Sequence, residues 1–231
     1  NPEAPKVVIT STIPEITKES AIEVHYTVNG AAKRTTIPLI EGRNKIYEVF
    51  SDPDSLGRRW SAKFTITADW TPPEGGVDIN AGAKFTKSRE VTLALSASDL
   101  ISGVDAICFP AEGEDCGNGW QPFTASKMVQ LPAGEGTKEV RYQVRDKAGR
   151  VSTFRDSIIF DTSAPQLGLI SAAYVDAPDY TLQYRVTDLS MEASVVNESL
   201  SLQRGWNTLT RKAIDPLGHQ REMTWRIYLD L

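Results

Sequence analysis

The sequence predicts an all-β chain of three tandem antiparallel β-sandwiches in an elongated array. Three observations predict it. Apolar and polar residues alternate with period two through many short segments, as half-buried strands require. Proline and glycine punctuate the chain every ten or so residues, and no segment carries a convincing amphipathic helical period. A D-x-x-G turn recurs with constant spacing: Asp54 to Gly57, Asp146 to Gly149 and Asp215 to Gly218, with Asp69, Asp161 and Asp230 each twelve residues after the glycine.

The elements follow in order. Lys6 to Thr10 is short and β-branched. Ala21 to Val28 runs into Asn29-Gly30, a two-residue hairpin signal, and Lys33 to Ile40 returns along it. Glu90 to Ala97, Val104 to Phe109 and Met128 to Leu131 read as strands of a second sandwich. Its last hairpin is signalled by Val140, Tyr142 and Val144 alternating with Glu139, Arg141 and Gln143. Tyr180 to Val186, Ser194 to Val196, Ser199 to Leu202 and Met223 to Leu229 are strands of a third. In D-x-x-G the Asp side chain bonds amides ahead of it, and the Gly supplies the positive φ that closes a type I turn. One residue breaks the alternation. Asp156 falls on the parity of Phe154 and Ile158, so either a bulge turns it outward or the carboxylate has a partner.

Asp69-Trp70-Thr71-Pro72-Pro73 and Asp161-Thr162-Ser163-Ala164-Pro165 both read D-x-[TS]-x-P. Proline lacks an amide hydrogen and fixes φ, so it ends a sheet and stiffens a short connector. These connectors place domains at 1–70, 71–163 and 164–231. The first residues resemble the tail of such a connector and Asp230-Leu231 the start of another, which suggests a window from a longer array.

With 25 Lys+Arg against 30 Asp+Glu, the formal net charge is −5, and no basic cluster suits a nucleic-acid partner. No apolar run is long enough for a membrane helix. Catalysis finds no support: His25 and His219 fall in different predicted domains, and neither a G-x-S-x-G elbow nor a Gly-rich phosphate loop occurs. Cys108 and Cys116 flank a loop containing Pro110, Gly113 and Asp115. A disulfide there implies an oxidising compartment; two free thiols or a metal site are the alternatives.

Two further constellations carry candidate chemistry. Asp69, Glu74, Asp99, Asp105 and Asp161 sit at connectors and turns, where they can converge on calcium; the competing reading is that Asp69 and Asp161 bond connector amides. No other cofactor is indicated. Trp70, Trp120 and Trp206 are candidates for a glycan- or protein-binding surface, against packing for Trp70 at the first junction, while Trp225 reads as core.

Ile79 to Thr86, Val91 to Asp99 and Ser102-Gly103-Val104 resemble the bacterial immunoglobulin-like repeats of large secreted and cell-surface proteins. So do Gly136 to Val140, Val144 to Ser152 and Asp161 to Pro165. The first and third segments match through Gly42 to Asp69 and Gly205 to Asp230. The paired cysteines and the aromatic third segment depart from the usual pattern. The resemblance implies immunoglobulin-like sandwiches, an extracellular or cell-surface location, and a non-catalytic structural or adhesive stalk segment of a larger protein flanked by further domains. An accessory glycan- or protein-binding module of a surface enzyme, or a segment of an extracellular filament, are the alternatives, and the partner stays open.

Overall fold

The structure is a computed structural model that describes residues 7–51, 59–111 and 113–230. Among the described residues every regular element is a strand. In chain order, β1 (Val7–Ile9), β2 (Ile16–Thr17), β3 (Ala21–Val28), β4 (Ala31–Pro38), β5 (Gly42–Ser51) and β6 (Arg59–Ala68) form sheets β1-β3-β4 and β2-β6-β5. Next, β7 (Glu74–Ile79), β8 (Phe85–Thr86), β9 (Glu90–Ser98), β10 (Val104–Cys108), β11 (Ser126–Gln130), β12 (Gly136–Asp146) and β13 (Val151–Phe160) form β11-β9-β7 and β10-β12-β13-β8. Last, β14 (Gln166–Leu169), β15 (Tyr174–Val175), β16 (Asp179–Thr187), β17 (Ser194–Ser201), β18 (Gly205–Ile214) and β19 (Gln220–Leu229) form β14-β16-β17 and β15-β19-β18. This is the all-β class of several largely antiparallel sheets that the alternation and the turns predict.

By its contacts the chain forms two compact units. The first comprises Asn1–Val77, Leu95–Ser126 and Val140–Arg155; the second comprises Asp78–Ala94, Lys127–Glu139 and Asp156–Leu231. In the first unit Ile22, Val24, Ile37, Leu39, Ile66 and Ala68 form a buried cluster, with Phe64 and Trp70 packed against it. Also in this unit, Tyr142 is fully buried between Phe109 and Phe154, with ring centroids 5.5 and 6.0 Å away. Its hydroxyl donates to the Ser96 carbonyl at 3.2 Å, and burial pushes its pKa up to about 12. In the second unit Leu167, Tyr180, Leu182, Tyr184, Val186, Leu202, Ile227 and Leu229 form the other cluster. Burying a Leu or Ile side chain as fully as Leu182 and Ile227 contributes about 1.5–3 kcal/mol each. Trp225 is half-buried, packed on that cluster and against Tyr184.

Turn chemistry follows the sequence closely. Val28 pairs with Ala31 across Asn29-Gly30, both with positive φ, so β4 starts two residues before the predicted Lys33. Gly149 and Gly218 have φ of 85° and 88° and close turns in which the glycine amide bonds the carbonyl of Asp146 or Asp215. Asp54 and Gly57 lie outside the described residues.

Other details differ. The two predicted segments 194–196 and 199–202 are one strand, β17, because its alternation continues unbroken opposite β16. Short strands β2, β8 and β15 were not expected; each pairs in parallel with the last strand of its segment, over only two residues. The amides of Asp69, Asp161 and Asp230 then bond the carbonyls of Thr17, Thr86 and Val175 at 2.8, 3.0 and 2.9 Å. Two residues are too few for a periodic signal, so pairing alone identifies such strands.

Candidate functional site

Two trios of aspartates define the site. Asp69, Asp99 and Asp146 form one; Asp161, Asp188 and Asp215 form the other. One carboxylate oxygen from each residue lies within 4.8 Å of the others in its trio. Each trio draws its members from the same three places. One follows the last strand of a sheet pair (β6 or β13), one follows a long inner strand (β9 or β16), and one opens the D-x-x-G hairpin (β12–β13 or β18–β19). Asp69, Asp146, Asp161 and Asp215 are buried, whereas Asp99 and Asp188 are half-buried.

Backbone amides orient every carboxylate. Asp69 accepts the Thr71 and Ser102 amides, one on each oxygen, both at 3.1 Å. Oδ1 of Asp99 accepts the amides of Ile101, Ser102 and Gly103 at 3.1, 2.8 and 2.7 Å. Asp146 accepts the Arg150 amide on Oδ1 at 2.8 Å, and Asp161 the Ser163 amide on Oδ1 at 3.0 Å. Asp188 accepts the amide and hydroxyl of Ser190. Asp215 accepts the amides of Leu217 and His219 on Oδ1, and its Oδ2 lies 2.7 Å from His219 Nδ1.

The buried Oδ2 atoms of Asp146 and Asp161 have no hydrogen-bond partner. Burial, and behind it the charges of Asp69 and Asp99, raises the pKa of Asp146 despite the bonds from Arg150 and Ala148. Burial likewise raises that of Asp161, opposed by Ser163 and Ser190 and reinforced by Asp188. At Asp215 burial pushes upward, but the bonds and charge of His219 prevail and hold the carboxyl low. Asp99 borders a cleft of about 270 Å³ lined also by Thr71, Pro72, Glu74, Ser98, Leu100 and Ile101. All ligand atoms of the two trios are hard carboxylate oxygens.

Of the five sequence candidates for a cation, Asp69, Asp99 and Asp161 belong to the trios. Glu74 is exposed on the cleft, and Asp105 pairs instead with Arg145 at 2.7 Å. Asp146 and Asp215, singled out for their turns, also join. Asp188 is the residue that sequence reasoning missed. Its signal was present: Thr187-Asp188-Leu189 follows β16 as Ser98-Asp99-Leu100 follows β9. The amide-bonding reading of Asp161 is seen in its Oδ1, which accepts the Ser163 amide, while its buried Oδ2 has no hydrogen-bond partner.

The remaining candidates are placed as follows. Cys108 and Cys116 are joined in a disulfide with Cα atoms 6.1 Å apart. Trp70 packs on the core, and Trp120 is half-buried beneath Arg145, whose guanidinium carbon is 4.4 Å from the ring centre. Trp206 is 51% exposed. It meets Tyr228 at 5.1 Å and Tyr174 at 5.7 Å on the outer face of β15-β19-β18, with Arg226 over its ring.

No family model and no curated protein sequence matches the chain. Among solved structures, fibronectin(III)-like modules of Clostridium thermocellum CbhA match at 17% identity and a TM-score of 0.41, covering 67% of this chain and 93% of that one. SGBP-B of the Bacteroides ovatus mixed-linkage glucan utilization locus, in complex with a mixed-linkage heptasaccharide, matches at 12% identity and a TM-score of 0.24, covering 99% of this chain and 71% of that one.

Proposed function

We propose that the chain is a non-catalytic spacer segment of a bacterial extracellular or cell-surface protein, with domains at 1–70, 71–163 and 164–231. One observation carries this reading. Each connector aspartate, Asp69 or Asp161, is gathered with two loop aspartates of the sheets that follow it, so the same tie is made twice along the chain. A spacer needs its connectors held, and a connector of four or so residues spans at most about 14 Å. The Cys108–Cys116 disulfide supports an oxidising, extracellular setting. Small-angle scattering tests the reading. A radius of gyration well above the roughly 17 Å of a compact globule of this length is expected, and a value near 17 Å rejects it.

A second reading has its own support. Tyr174, Trp206 and Tyr228 stand together on one exposed sheet face, a surface on which a sugar ring or a partner's apolar residue can stack. Glycan binding that Trp206→Ala abolishes and Trp120→Ala leaves intact favours this accessory-module reading.

A further inference from the structure

We infer that each aspartate trio is a binding site for a hard divalent cation of the calcium type, one ion at Asp69, Asp99 and Asp146 and one at Asp161, Asp188 and Asp215. The inference does not depend on the spacer reading, since the sites are defined by their own atoms.

Three carboxylates gathered in a largely buried space repel one another, and taking them out of water removes the solvation that screens them. A carboxylate can only accept hydrogen bonds, so a buried carboxylate oxygen without a donor is costly unless a positive charge meets it. In each trio one oxygen is in that position: Oδ2 of Asp146 in the first and Oδ2 of Asp161 in the second. Both residues are nine-tenths or more buried, and in both the other oxygen is tied to a backbone amide that fixes the direction of the free one. The orphaned acceptor thus recurs independently, at the hairpin member of one trio and the connector member of the other.

The choice of ion follows from ligand type and spread. Each trio offers only oxygen, which disfavours zinc and copper. Two oxygens on opposite sides of a calcium ion are about 5 Å apart, and on magnesium about 4 Å. Oxygens no more than 4.8 Å apart lie within the span of one calcium ion, and magnesium, which demands near-ideal octahedral geometry and usually keeps several waters, is disfavoured by three carboxylates already held by backbone amides. A bound ion would draw the connector aspartate against the post-strand turn and the hairpin, fastening three segments remote in sequence. The second site differs in one respect: Oδ2 of Asp215 is already bonded to His219.

Equilibrium dialysis of the disulfide-intact chain, stripped with EDTA and returned to calcium, tests the inference. It is paired with thermal melting in calcium and in EDTA. The wild type is expected to bind two calcium ions and to melt several degrees higher in calcium, with magnesium at equal concentration much less effective. Asp146→Asn and Asp161→Asn keep the Oδ1 acceptor and remove the charge; each is expected to take up one ion, and the double variant none. Should either variant fail to fold, Asp99→Asn and Asp188→Asn probe the same two sites at half-buried positions. No calcium uptake by the wild type with identical melting in calcium and EDTA overturns the inference. So does uptake that survives in the folded double variant. Asn variants that melt above the wild type in EDTA, with no calcium response in either, show that a shared proton neutralises the trios instead, and also overturn it.

Discussion

Oδ2 of Asp156 accepts the backbone N–H of Ile79 at 2.7 Å. A strand residue that breaks the polar–apolar alternation is thereby explained: Asp156 stays half-buried because it pairs an edge amide of β7, and its Oδ1 accepts the amide of Ser157. Asp156→Ala leaves the amide of the fully buried Ile79 without a partner and is expected to cost about 1–3 kcal/mol in chemical denaturation. Asp156→Asn retains an acceptor and should lose less than half as much. Equal losses in the two variants would show that the bond is not what stabilises this edge.

Gly149 tests the hairpin alone. A Cβ built there meets no atom within 4 Å, so substitution is opposed by its φ of 85° and not by crowding. Gly149→Val should cost at least the ~1–2 kcal/mol of a left-handed residue, with β-branching adding to it. Gly168, equally open but without positive φ, is the control: Gly168→Ala should change stability by no more than about 0.5 kcal/mol.

The ion pair inside the last sheet pair predicts a pH dependence. Glu198 accepts Nε of Arg211 at 2.7 Å and the hydroxyl of Tyr184 at 3.0 Å. The Arg211 bond, with Tyr184 behind it and burial opposing, holds the Glu198 carboxyl below its ordinary value. An acid so depressed contributes stability above its unfolded pKa of about 4.3, and that stability is lost as pH falls through the folded value. Glu198→Gln should therefore be less stable than wild type by about 1–3 kcal/mol at pH 7. Urea titrations at stepped pH should show the gap closing below about pH 4. A gap independent of pH would assign the effect to packing.

The disulfide closes a short loop, for which chain entropy gives about 2–3 kcal/mol. Unfolded, unreduced protein should show no titratable thiol, and reduction should lower stability by that amount. Two free thiols would remove the argument for an oxidising compartment.

Fold class and the described hairpin positions were legible in the amino-acid order because each is written in local chemistry. Period-two alternation marks β9, β12, β16 and β19, Asn29-Gly30 marks a two-residue turn, and D-x-x-G marks a loop whose glycine needs positive φ. The same locality made Asp146 and Asp215 read as turn formers only, since their bonds to Arg150 and His219 lie four residues away. Tertiary structure decided that these turns face Asp69 and Asp161 and that Asp188 completes the second trio. It also decided that Asp105 and Glu74, no different in type, stay outside. The physical reason is that carboxylates interact over a few ångströms of space, whereas the members of each trio come from strand ends far apart along the chain. Sequence spacing alone carries no information about which strand ends the sheets bring together.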